Sequence, residues 1–408
     1  MRRALQSLCR YVGTSHRVVP PEETLRRFSP KLSVAGVTRI ADITGLDRVG
    51  IPVFSAMRPS ARKGAVSVHS GKGTTAVEAK VSAMMESFER YSAEMHSEDL
   101  VRGSFYELEG EGAIDPNSLI LPAKIDARNL VLEWVSAKNL FDGEEYLVPA
   151  NAVFHPYNPS DAGAMHIFRS NTNGLASGNT LEEAILHGLL EVIERDAWSL
   201  AEASRKTAGI ACDSVPERLA ALIERFERAN IKIHLHDITS DIGIPTVAAV
   251  ADDVELCDAA FLTFGVGTHL DPSVAVARAL TEVAQNRVVQ IQGAREDIAA
   301  QVKAMRSVGY ERMKEINKHW FSPAAMKSFE EIEDISAKDI SEDIQITLEA
   351  LRRRNFKLAL FVELTREELG VPVVRVIVPG LEQFSVDASR KGKRFFKALR
   401  ERRRKLNN

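Results

Sequence analysis

Two stretches of this chain follow one design. KGTTAVEAKVSAMMESFERY (72–91) aligns with SGNTLEEAILHGLLEVIERD (177–196). Seven of the twenty positions are identical: Gly73/Gly178, Thr75/Thr180, Glu78/Glu183, Ala79/Ala184, Glu86/Glu191, Glu89/Glu194 and Arg90/Arg195. A third stretch, HLDPSVAVARALTEVAQNRVVQIQ (269–292), keeps a weaker version, with Glu282 in place of Glu191 and Gln285 in place of Glu194. The spacings are unequal (191 − 86 = 105; 282 − 191 = 91), which excludes a solenoid. One turn-then-helix unit used three times around a shared centre is the expectation.

Residues three and four apart share a helical face. Ser82, Glu86, Glu89 and Arg90 therefore form one stripe, and Glu183, His187, Glu191 and Glu194 a second. Glu282 and Gln285 form a third, with Arg287 on an adjacent face. Met84, Met85 and Phe88, and then Leu189, Leu190 and Ile193, supply the core side. Facing carboxylate pairs beside a core repel unless a cation lies between them. Oxygen ligands without thiolate or clustered imidazole suit a hard ion, Mg2+ or Mn2+ rather than zinc. Mg2+ is commonly held by one or two carboxylates plus substrate phosphates, so Mg-nucleotide is the economical reading. The turns SGKG (70–73) and ASGNT (176–180) present backbone N–H groups and helix N-termini to an anion, and Lys72 adds charge. No GxxxxGK[ST] motif occurs, and no GxGxxG follows a strand, so phosphate chemistry is expected outside the familiar nucleotide folds.

At 408 residues, 45% hydrophobic and 27% charged, with a net charge of -3, the chain is a large globular protein. Cys9, Cys212 and Cys257 lie far apart, which disfavours a thiolate zinc site and fits a reducing compartment. No apolar run approaches the roughly 18 residues of a membrane span. The opening MRRALQSLCRYVG lacks an apolar signal core, so a cytoplasmic location is expected. Residues 390–408 hold ten basic residues and one acid, read as a solvated terminal helix, with nucleic acid not expected as a partner. His234 and His236 alternate along a strand and read as polar core or surface groups; His187 is expected near the ligands or facing substrate. Mixed strands and helices give an α/β (α+β) fold of unspecified strand order. Its parts are an arm and first strands (1–60), a core with the three helices (61–295), a peripheral helical segment (296–355), and final strands with the basic tail (356–408).

GKGTTAVEAKVSAMMESFERYSAE, NGLASGNTLEEAILHGLLEVIERDA, GVGTHLDPSVAVARALTEVAQNR and VVRVIVPGLEQFSVD together resemble the YcaO family, from about residue 15 to 395. The resemblance implies an ATP-binding fold unrelated to Walker proteins, its three units set around a central nucleotide site. By resemblance, Glu86, Glu89, Glu191 and Glu194 are Mg2+ ligands and Glu183 joins them. Ser82, Lys72, Gln285 and Arg287 contact the nucleotide, and Arg17 and Thr24 lie where the N-terminal arm touches ATP. Such enzymes phosphorylate the oxygen of a peptide backbone amide, turning a poor leaving group into a good one. A neighbouring Cys, Ser or Thr then gives an azoline; external sulfide gives a thioamide. The chain ends RERRRKLNN with its last proline at Pro379, unlike the Pro-rich tails of azoline-forming members, and it carries no leader-capture or E1-like domain. It looks like the stand-alone, methanogen-type members that thioamidate a glycine of methyl-coenzyme M reductase. A peptide or protein substrate, a TfuA-like partner and a sulfide donor follow, with a homodimer compatible. The alternatives are an azoline-forming cyclodehydratase and an ATP-binding accessory protein.

Overall fold

The computed structural model describes residues 10–11, 16–95, 100–122, 125–159, 163–294 and 299–406. Helix α1 (Pro21–Phe28) leads into β1 (Arg39–Asp42), β2 (Val53–Met57) and β3 (Val68–Lys72), and β3 runs into α2 (Ala76–Ala93). Then come β4 (Val101–Gly103), α3 (Phe105–Leu108), β5 (Leu132–Asn139) and β6 (Glu145–Pro149). Strand β7 (Leu175–Ser177) runs into α4 (Leu181–Ser204). After it lie β8 (Ala208–Ile210), α5 (Glu217–Arg228), β9 (Ile231–Asp237), β10 (Thr246–Asp253) and β11 (Phe264–Thr268), which feeds α6 (Pro272–Gln292). The chain closes with α7 (Ala299–Val308), α8 (Tyr310–Ile316), α9 (Lys318–Phe321), β12 (Ala325–Lys327), α10 (Ile340–Arg353), β13 (Leu360–Glu363), β14 (Val373–Ile377) and α11 (Lys393–Leu406).

Among the described residues the strands form three sheets, ordered β1-β2-β3, β11-β10-β9-β8-β12 and β4-β5-β13-β14-β7, with β6 also on β5. This is an α+β fold. Each repeat is an edge strand followed by a long helix: β3–α2, β7–α4 and β11–α6. The repeated threonines are helix caps. Thr75 accepts the Glu78 N–H at 3.3 Å and Thr180 the Glu183 N–H at 3.2 Å. In the third unit Asp271 caps and Pro272 opens the helix. The expected SGKG turn is corrected: residues 70–72 belong to β3, and only Gly73 to Thr75 form the connection.

Strand and helix are stacked backbone on backbone. A Cβ on Gly71 would fall 2.0 Å from the Ala83 nitrogen and 2.3 Å from the Ala79 oxygen; one on Gly267 would fall 2.1 Å from the Ala275 oxygen. Neither helix backbone can give way locally. Gly71→Ala is therefore expected to cost about 1–3 kcal/mol in denaturant unfolding; an unshifted midpoint would contradict the close approach.

Behind each helix lies core: Met84 and Phe88 with Trp134, Leu189 and Ile193 with Ile344 and Val376, and Val276 and Leu280 with Phe226 and Ile233. Segment 296–355 is less peripheral than expected. Its β12 pairs in parallel with β8, and its α10 packs on α4. The basic tail is also partly anchored. Arg394 pairs with Asp196 at 2.8 Å, and Phe395 is buried. Among the described residues, no helix is long and apolar enough to cross a membrane.

Candidate active site

The three stripes face one solvent-open cavity of about 830 Å3. Helix α2 contributes Ser82, Glu86, Glu89 and Arg90, and α4 contributes Glu183, His187, Glu191 and Glu194. Glu282 and Gln285 come from α6, Lys72 from β3, and Arg17 and Thr24 from the N-terminal arm and α1.

Arg287 is the correction. It lies off the cavity, 0% exposed, with Nε donating to Asp47 Oδ2 at 2.8 Å and Nη2 to Asp253 Oδ2 at 3.0 Å. Two residues beyond Gln285 the helix has turned it away from the stripe, into a buried ion network. Glu183 also departs from its expected part. Its repeat mate Glu78 reaches back to cap α2, through Thr74 N–H at 2.9 Å. The Glu183 carboxylate instead accepts from Arg17 Nη1 at 2.9 Å, Val18 N–H at 3.2 Å and Asn179 Nδ2. Its lone pairs go to holding the arm, a poor fit for a metal ligand. Thr24 donates to Asn179 Oδ1, Lys72 pairs with Glu282, and Gln285 donates to the Ser70 carbonyl. These bonds tie the first unit to the third, and the N-terminal arm to the second.

The remaining glutamates fit a cation. Loss of hydration at half-buried Glu89, with Glu86 beside it, pushes its carboxyl up to about 7, although Ser177 donates to it at 2.7 Å. Burial pushes Glu194 up to about 7 as well, and among the described residues its Oε2 is buried without a hydrogen-bond partner. Glu191 is raised by burial against the pull of Arg195 and Arg90. Arg90 pairs with Glu86 and Arg195 with Glu194, yet Glu89, Glu191 and Glu194 stay raised, so a further cation among the four carboxylates would favour their charged forms. Among the described residues, no three His, Cys, Asp or Glu side chains close on one point as a protein-only cage. Mg2+ completed by phosphate oxygens suits that arrangement.

Because the folded carboxyls titrate near 7 and unfolded ones near 4.5, the ligand-free fold holds these protons more tightly. Their contribution to stability is present below about 4.5 and lost as pH rises through about 7. A bound cation must displace the protons. Mg-nucleotide binding is therefore expected to weaken as pH falls through 7, with a shallower slope in Glu89→Gln. Equal slopes by calorimetry would contradict the assignment.

Among the cavity groups that the sequence reading did not single out are His16, His269 and Arg278. His16 and His269 stack edge to face, 4.9 Å apart. Arg278 of α6 donates to His187 Nε2 at 3.3 Å. Burial and Arg278 hold His187 well below its ordinary value, so it is neutral and accepts that bond. A signal for Arg278 was present: Ser82, His187 and Arg278 are equivalent in the three repeats (187 − 82 = 105; 278 − 187 = 91). Away from the cavity, His236 is buried against Thr207 and the Trp320 carbonyl, as expected of a polar core group.

A family model described as YcaO cyclodehydratase, ATP- and Mg2+-binding, matches residues 70–382. The chain belongs to the YcaO family. ATP and Mg2+ are that family's cofactors, in keeping with the acidic cavity. A YcaO structure from Methanopyrus kandleri, bound with AMPPCP and Mg2+, superposes with TM-score 0.79 at 32% identity, covering 95% of this chain and 98% of that one. An uncharacterized protein of Methanothermobacter thermautotrophicus is 56% identical over 93% of this chain and 98% of its own length. An uncharacterized protein in the tfuA 3′ region of Rhizobium leguminosarum bv. trifolii is 33% identical over 90% of this chain and 88% of its own.

Proposed function

We propose that this YcaO protein uses ATP and Mg2+ to activate a peptide backbone amide and exchanges its oxygen for sulfur, giving a thioamide. The proposed target is a glycine of methyl-coenzyme M reductase. The reading is carried by the convergence of Glu86, Glu89, Glu191 and Glu194 from two repeats on one cavity of about 830 Å3. That volume suits a nucleotide with an extended peptide beside it. The methanogen relative supports the target, and the relative beside tfuA supports a TfuA-like partner.

Bound Mg2+ would neutralise the triphosphate and the charge that builds on the transferred phosphoryl group. Glu86, Glu89, Glu191 and Glu194 would hold it. Arg278, oriented by neutral His187, points a fixed positive charge into the same space. Lys72 and Glu282 hold the strand–helix junction of the first unit to the third helix. The Arg17–Glu183 bond keeps the N-terminal arm over the cavity. The phosphorylated amide oxygen leaves as phosphate once hydrosulfide has added to the carbon.

The test is mass spectrometry of a reductase glycine peptide incubated with protein, Mg-ATP and sulfide, with any TfuA-like partner added. One sulfur-for-oxygen exchange, dependent on both ATP and sulfide, is expected. The family description as cyclodehydratase favours azoline formation as the second reading. Loss of one water beside a Cys, Ser or Thr would establish it and overturn the first.

A further inference from the structure

Helix α5 gives the cavity a wall that carries none of the metal or nucleotide residues. It turns Arg218, Leu219, Ala221, Leu222 and Arg225 toward the open space. Spacings of three, four and seven residues put these side chains on one helical face. Leu219 and Leu222 are buried, at 2% and 6% exposed, whereas Arg218, Ala221 and Arg225 are exposed. The face is an apolar floor between two cationic ends, about 10 Å apart along the helix axis. Val274 and Ala277 of α6, which packs on α5, continue the floor.

The two arginines are available to a ligand. The third arginine of α5, Arg228, pairs with Glu224 at 2.6 Å, and neither lines the cavity. Among the described residues, Arg218 and Arg225 form no ion pair, and Arg225 Nη1 donates to the Gly50 carbonyl at 3.0 Å. Arg218 shares the surroundings of His16 with Asp271 and Asp334. Both acids have partners of their own: Asp271 caps α6 through the Ser273 N–H at 2.7 Å, and Asp334 accepts from Ser336.

This face also stands apart from the acid pairs. The strongest positive charges on Glu89, Glu191 and Glu194 come from Arg90, Arg195, Arg278, Lys72 and Arg375, none of them on α5. Because Arg218, Ala221 and Arg225 reach solvent, a ligand lying on this face runs out of the cavity. A nucleotide held by Mg2+ needs no such exit. A backbone amide inside a peptide does, since the chain continues on both sides of it.

We infer that the α5 face binds the peptide beside the modified amide and selects acidic residues flanking an apolar one. Leu219 and Leu222 take the aliphatic side chain, and Arg218 and Arg225 meet the carboxylates. The span between the arginines equals about three residues of extended chain. The inference rests on the reading that the protein modifies a peptide backbone amide, and names which peptides it accepts. It holds for a thioamide or an azoline product alike.

The test is calorimetric binding of three twelve-residue peptides to the whole protein loaded with Mg-AMPPCP, so that the acid pairs are occupied. Each peptide has a central glycine between leucines, flanked by glutamates, glutamines or lysines. The glutamate peptide should bind about fivefold or more tighter than the glutamine one, and the lysine peptide weakest, with the differences shrinking as salt rises. In the double variant Arg218→Glu, Arg225→Glu the order should invert. Ala221→Trp, which fills the floor, should weaken all three peptides by about tenfold or more. Wild-type Mg-AMPPCP affinity in every variant shows that each is folded. Equal affinities for the three peptides, no binding of any, or an order unchanged by the double reversal overturns the inference. So does a loss confined to AMPPCP, which would give the face to the nucleoside. Sulfur exchange in the reductase peptide with unselective binding discards the α5 face and leaves the thioamide reading standing. Selective binding with only water loss keeps the face and overturns that reading.

Discussion

Arg287→Ala is expected to destabilise the protein by about 3–5 kcal/mol, the usual cost of removing one partner from a buried ion network. The guanidinium lies between Asp47 and Asp253, and Arg48 reaches Asp253 from the other side at 2.8 Å. Without Arg287, Asp47 has no other ion-pair partner among the described residues, and Asp253 retains the partly exposed Arg48. The network joins α6 to the loop before β2 and to β10, so its loss also lets Gln285 and Glu282 drift. Unfolding in denaturant measures the first effect and nucleotide affinity the second. Asp253→Asn should lower stability in the same direction although it touches no cavity wall. Full stability in Arg287→Ala with nucleotide binding abolished would mean that the arginine meets the nucleotide directly.

The second large effect concerns the acid pairs. Removing a partner outside the ligand set of a metal typically costs 10–100-fold in affinity or activity. Replacing a ligand itself should reach at least the upper end. Glu86→Gln and Glu191→Gln are therefore each expected to weaken Mg-nucleotide binding by about 100-fold or more, and to lower turnover with it. In Glu191→Gln stability should hold or rise, because Glu191 already resists ionisation in the ligand-free protein. Loss of turnover with unchanged Mg-nucleotide affinity, by calorimetry, would instead place these carboxylates on the peptide.

Much of the cavity was legible from periodicity. Helical spacing put Glu86 with Glu89 and Glu191 with Glu194 on single faces, and the repeat implied that those faces meet. Both statements are local, and local rules sufficed. Arg287 shows where they stop. Spacing showed that it left the stripe, but its partner Asp47 lies 240 residues away in sequence, so the buried network could not be read. Glu78 and Glu183 teach the same lesson. They are identical by alignment, yet one caps its own helix and the other holds an arm that only tertiary packing brings near. His16 and His269 carried no pattern, since each reaches the cavity from an irregular segment outside the helices.

The most direct measurement is a calorimetric double-mutant cycle for AMPPCP binding with Mg2+, using wild type, Glu86→Gln, Glu191→Gln and the double variant. One composite site built from two repeats predicts that each single variant loses most of the affinity, and that the double loses little more. It also predicts no binding to wild type when Mg2+ is withheld. Additive losses, or binding indifferent to Mg2+, would contradict a site shared between α2 and α4.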